Sequence, residues 1–180
     1  EFTRPSEETT ERLTRLLHYT ATVSNPLDYT TPIWGIPERV RPVFEALLAD
    51  PYEAAIFVQD YPQSGLDESK PYYLNDAKSF IEASKKARIP SAICSTLPEN
   101  MDQATREMLI ENGIAPMQGI HETLDAIAAA SWYFGRRESI RKHGIETIRP
   151  RSATGVATLV DEWEGKQHLR KIGLTVPEGR

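Results

Sequence analysis

Cysteine is nearly missing from this chain: Cys94 is the one thiol in 180 residues. That excludes an internal disulfide and any metal site built on several thiolates. Long apolar runs are missing as well. None approaches the roughly 18 residues of a membrane-spanning helix, and no charged-apolar-small leader pattern opens the sequence. Positive charge is in deficit, with 21 Lys and Arg against 26 Asp and Glu and a net charge of -5. A nucleic-acid surface is normally basic, so that class is disfavoured. Histidine is scarce: His18, His121, His143 and His168 each fall at a helix end or on a helix face and read as structural. The glycine-rich, proline-free phosphate loop of a flavin domain is absent too, since the corresponding loop carries Pro26 and Pro32. A reducing, cytoplasmic setting fits this composition.

What the sequence does have is the make-up of a globular domain, 39% hydrophobic and 26% charged, in a chain long enough to bury a sizeable core. Its focus is TVSNPLDYTTPIWG, residues 22–35. Residues 20–23 read as a short strand that breaks at Asn25-Pro26, because proline has no N–H for a sheet ladder. The polar loop that follows feeds a helix near Pro37. In open α/β sheets such loops lie at the carboxyl ends of strands, where ligands bind.

The rest follows an alternating rhythm. Ser6 caps an amphipathic helix carrying Leu13, Leu16 and Leu17. A helix over 37–49 buries Val40, Val43, Phe44, Leu47 and Leu48 on one face. The apolar run over 53–59 predicts a buried parallel strand emptying into a second loop, 59–66. Further helices are expected over 72–87, 101–112 and 120–142, with strands at 91–94 and 114–117 and Gly113 as a left-handed helix stop. Together these predict a three-layer, flavodoxin-like α/β domain with a parallel sheet of four to five strands over residues 1–147. A basic linker over 148–157 and a segment over 158–180, with one more helix and a tail, complete the chain. The ends, EFTRPSEETT and KIGLTVPEGR, lead us to expect a piece of a longer protein.

Asn25-Pro26-Leu27-Asp28 in the first loop, the α/β body, and then Glu162, Glu164, Lys166, Leu169, Gly173, Leu174, Val176 and Pro177 at their spacing resemble the NDP-forming acyl-CoA synthetases, relatives of succinyl-CoA synthetase. The resemblance covers nearly the whole chain, which would hold the second CoA-ligase domain and the first helix of an ATP-grasp domain. One departure stands out: after Tyr29 and Thr30 the family's glycine is delayed to Gly35. The resemblance implies that the whole enzyme makes acyl-CoA from a carboxylic acid, CoA and ATP through an acyl phosphate and a phosphohistidine. It implies ATP or ADP, Mg2+ and CoA for that enzyme, none of them held by this segment, which alone would be inactive. Its partners would be the CoA-binding, phosphohistidine and ATP-grasp domains of the same protein, in a homo-oligomer, with no nucleic acid and no membrane.

Within that reading, Asn25, Thr30, Thr31, Ser64 and Gly65 are the candidates for cradling the phosphohistidine with neutral donors, and no residue here is catalytic or metal-binding. Asp28, being charged, is expected to order the loop by accepting backbone N–H bonds. Cys94 reads as inert packing, Trp34 as an interface anchor, and Trp132, Tyr133 and Phe134 as core or inter-domain contact. The alternative is a non-catalytic flavodoxin-like or receiver-like binding module, in which Asp60 would be the phosphorylated residue.

Overall fold

The computed structural model describes residues 2–62, 65, 68–145 and 158–178. The chain divides into two compact units, residues 1–137 and 138–180.

In the first unit, α1 (Glu7–Leu16) begins where Ser6 accepts a hydrogen bond from the Thr9 amide, with Glu7 and Glu8 in the first turn. Both features satisfy or complement the exposed amides of a helix start. Its Leu13 is fully buried. Helix α2 (Pro37–Leu47) opens on a proline, which is tolerated there because the first helical N–H has no intrahelical partner. Val40, Val43, Phe44 and Ala46 form its buried stripe. The two helices are joined at one end by Asp50, which accepts from the Ser6 amide (2.7 Å), the Ser6 hydroxyl (2.8 Å) and the Thr9 hydroxyl (2.7 Å).

Strands β1 (Ala55–Val58), β2 (Ser91–Ser95) and β3 (Ala115–Gln118) form a parallel sheet in the order β1-β2-β3. Phe57 pairs with Ile93, and Ile93 with Pro116. Helices α3 (Lys70–Ala87) and α4 (Gln103–Glu111) make the crossovers, and α5 (Ile120–His143) follows β3. Phe57 points into a cluster with Phe44 and Phe80, all three ring pairs lying 5.2–5.5 Å apart. Cys94, on the opposite face, takes a 3.0 Å hydrogen bond from the Thr123 hydroxyl in the first turn of α5. It is buried packing, as its place at a strand end predicts.

Two expectations need correction. Residues 20–23 are not a strand: the Ala21 amide turns back to the His18 carbonyl (2.9 Å), and the segment joins no ladder. The described residues therefore form a three-stranded sheet rather than one of four to five strands. The β-branched residues Thr20, Thr22 and Val23 favour extended backbone, but a strand exists only where a neighbour accepts its hydrogen bonds. Here Val23 and Leu27 pack their side chains on the core instead. The cluster Trp132, Tyr133 and Phe134 is not core either; all three are exposed on α5.

In the second unit, α6 (Glu162–Lys171) starts at Asp161, whose carboxylate accepts from the Glu164 amide at 2.8 Å. A Glu162–Lys166 pair one turn apart braces its exposed face. The expected linker over 148–157 lies outside the described residues. Among the described residues, no helix is long and apolar enough to cross a membrane.

Candidate functional site

The carboxyl edge of the sheet is organised by two aspartates. Beyond β1, Asp60 accepts from the Thr96 amide (2.8 Å), the Thr96 hydroxyl (2.6 Å) and the Asn100 side chain (3.1 Å). The Tyr61 amide donates to the Asn100 carbonyl at 2.8 Å. The loops leaving β1 and β2 are thus tied to each other. Burial pushes the Asp60 carboxyl up, but its hydrogen bonds outweigh that and hold it below the usual carboxylate range.

The second aspartate, Asp76, lies in α3 with no exposed surface. It receives the Tyr29 hydroxyl at 2.6 Å and the Gly35 amide at 2.9 Å, and no cation pairs with it among the described residues. Asn75 next to it donates to the Gly35 carbonyl at 3.1 Å. Desolvation pushes the Asp76 carboxyl up, and the two hydrogen bonds offset this only in part. Burial first, and then the carboxylate, push the Tyr29 phenol up, so it stays a hydrogen-bond donor.

These bonds rivet the 25–35 loop to the first turns of α3. Gly35 is required there: its φ is +73°, and a Cβ would stand 2.7 Å from the Tyr72 Cβ. Trp34 stands nearly perpendicular to Tyr73, with centroids 4.9 Å apart, and Tyr73 lies 6.2 Å from Tyr61 of the β1 exit loop. The 25–35 loop therefore shares the sheet edge with the β1 exit loop although no strand precedes it. Trp34, half-buried, packs against Tyr72 and Tyr73.

Asp28, Tyr29, Thr30, Thr31, Trp34 and Tyr73 line an open cavity of about 390 Å3. The Thr30 amide donates to Asp28 Oδ1 at 2.9 Å, closing a local turn over the mouth. Thr30 itself holds φ +65° and ψ 155°, and its hydroxyl oxygen is buried with no partner among the described residues. A β-branched residue at positive φ is strained, and such strain clusters at functional sites.

Of the residues singled out in the sequence, Asp28, Thr30 and Thr31 come together at this cavity. Asn25 does not line it: its side-chain amide donates to the Thr3 carbonyl at 3.0 Å. Gly65 is exposed at φ +85° with open space around it, and Ser64 lies outside the described residues. Sequence reasoning missed Asp76 and Tyr73. A signal for Asp76 exists, since it falls on the apolar face of its helix, one and two turns before the buried Phe80 and Ala83. A carboxylate at a core position points to a buried partner.

Further buried oxygens at the edge have no hydrogen-bond partner among the described residues: Gln59 Oε1, Tyr61 Oη and Ser95 Oγ. Gln59 and Ser95 sit side by side, the Gln59 amide donating to the Cys94 carbonyl at 2.8 Å. Among the described residues, no cluster of three or more His, Cys, Asp or Glu could hold a metal ion.

No family model and no curated protein matches this chain. Fold and site define a small parallel α/β domain with a loop-built cavity at the carboxyl edge of its sheet.

Proposed function

We propose that this chain is part of an NDP-forming acyl-CoA synthetase, an acid-thiol ligase of the succinyl-CoA synthetase type. On this reading residues 1–147 are its second CoA-ligase domain, of flavodoxin-like architecture. A sheet of four to five strands, as expected of that domain, would need strands beyond the three that the described residues form. The helix capped by Asp161 opens the ATP-grasp domain. The whole enzyme, in the cytoplasm and as a homo-oligomer, would join a carboxylic acid to CoA at the expense of ATP with Mg2+, through an acyl phosphate and a phosphohistidine. Partner domains would supply the histidine, the CoA site and the nucleotide site.

The observation that supports this best is the meeting of the NPLD loop and the β1 exit loop at one edge, beside the start of α3. A phosphoryl group carried by a partner domain would find neutral donors there. Thr31 is exposed and Gly65 has open space around it. Asp28 would order the loop through the Thr30 amide rather than touch the anion. A receiver-like module is the weaker reading, because Asp60 spends its oxygens on Thr96 and Asn100.

The test uses the polypeptide that carries this segment together with its histidine and ATP-grasp domains. Incubated with γ-labelled ATP and Mg2+, it should acquire acid-labile, base-stable phosphate. The double variant Thr31→Ala, Ser64→Ala should lower that labelling by about tenfold, the scale of losing one or two donors to a charged group. A folded polypeptide that takes up no label overturns the reading. Label unaffected by the double variant removes these loops from the cradle.

A further inference from the structure

We propose that the outward face of α5 pairs with the same face of a second copy of this chain, the two helices running antiparallel about a two-fold axis at Ala129. The synthetase reading expects a homo-oligomer but assigns it no surface. The pairing is argued from the helix alone and stands without that reading.

Thr123 fixes which way α5 faces. It is buried, with its hydroxyl against Cys94 of β2, and Ile127 one turn on is half-buried. Both therefore turn to the sheet. The opposite face begins with Glu122 and Asp125, passes Ala126 and Ala129, and ends with Trp132, Tyr133 and Arg136, at steps of three and four residues. Every one of these is exposed. Trp132 and Tyr133 leave 71% and 55% of their surface to water, an apolar exposure that marks an interaction surface.

The order of residues makes this face complementary to itself. Across an antiparallel pair, positions equally far before and after Ala129 meet. Seven before and seven after stand Glu122 and Arg136, which carry opposite charges. Four before and four after stand Asp125 and Tyr133, a carboxylate and a phenol that can donate to it. Three before and three after stand Ala126 and Trp132, the smallest and the largest side chains of the face. A parallel pair would instead set Glu122 on Glu122 and Arg136 on Arg136, like charges together. Arg136 is free to take a partner, since the ion pairs of α5 run from Glu138 to Arg141 and Lys142. Glu122 leans over Gly119 at the helix start but stays exposed and within reach.

Ala129 at the crossing lets the two axes close to about 8 Å, the short end of helix packing. The face from Glu122 to Arg136 is about 21 Å long, and one such pair buries less than a standard interface of about 1,600 Å2. The dimer should accordingly be weak, with a dissociation constant of about 10–100 μM.

The test is sedimentation of the full chain over about 1–500 μM, a range that brackets this constant. Arg136→Glu sets carboxylates against each other twice per dimer and should weaken association at least about tenfold, as should Glu122→Arg with two cations. Both changes in one chain restore opposite charges and should return association to within about threefold of the parent. Ala129→Cys lies on the axis and should form an intermolecular disulfide on mild oxidation. Ser131→Cys, exposed but turned about 160° away around the helix, should not. The native Cys94 is buried and adds no cross-link. A chain that stays monomeric throughout overturns the pairing and leaves the face to a different polypeptide. Association that the double variant fails to rescue, or equal cross-linking at Ala129 and Ser131, overturns the antiparallel register. None of these readouts uses ATP or phosphate labelling, so failure here is distinct from failure of the synthetase reading.

Discussion

Asp76 is the residue on which the loop depends, and its chemistry sets a pH signature. Its carboxyl is raised in the folded chain, chiefly by burial. A raised acid favours the protonated folded state, so its contribution is fully present below the unfolded value, near pH 4, and is lost as pH rises through the folded value. Asp60 has the opposite sign. It is depressed in the fold, so its contribution is present above the ordinary carboxylate range and is lost on acidification. Asp76→Asn keeps an acceptor for the Gly35 amide and carries no charge. In urea unfolding it should lie within about 1 kcal/mol of the parent at neutral pH and lack the loss of stability between acid and neutral pH. Asp76→Ala strands the buried Gly35 amide and the Tyr29 hydroxyl and should cost about 2–4 kcal/mol. A neutral outcome for the alanine variant would mean that the loop is held by its rings alone.

Among the elements, the α1–α2 pair shows how local signals and tertiary contacts combine. Ser6 is legible as a cap because Ser, two acids and an apolar stripe stand in the order a helix start requires. Not legible is that Asp50, 44 residues away, takes both the Ser6 amide and its hydroxyl. Burial acts to raise Asp50, but its hydrogen bonds from Ser6 and Thr9 leave it depressed. Asp50→Ala should lower stability by about 1–3 kcal/mol at pH 7, with the difference shrinking as pH falls through the Asp50 folded value. Denaturant melts at two pH values measure both effects. The missed strand over residues 20–23 belongs to this scale as well. Propensity describes one segment, whereas a ladder needs two, and the chain offers those residues a turn to His18 and a place against the core.

For the whole molecule, composition spoke about class and the sheet spoke about place. The loops leaving β1 and β2 converge because parallel strands put their exits at one edge. The exposed Trp132, Tyr133 and Phe134 on α5 run against the usual economy of a surface. Replacing Trp132 and Phe134 by Ser should shift the thermal midpoint by less than about 2 °C, since neither side chain supports the core. The same change should reduce self-association seen by sedimentation at high concentration. A large fall in midpoint would show that these rings stabilise the fold.

From its own order of residues the chain determined the helices and the three strands. Each of these rests on short-range physics: hydrophobic period, caps, and proline or glycine where the backbone demands them. Even the turn made by Asp28 and the Thr30 amide is of that kind, since it spans two residues. Tertiary structure alone decided that Asp76 would be the hub, that Tyr73 would meet Trp34, and that Asn25 would bond to Thr3 instead of lining the cavity. Those contacts join residues 22 to 47 positions apart, and no local preference encodes which distant partner a buried polar group will find. The partner is settled when the core closes, because only then does an unpaired carboxylate or amide become costly.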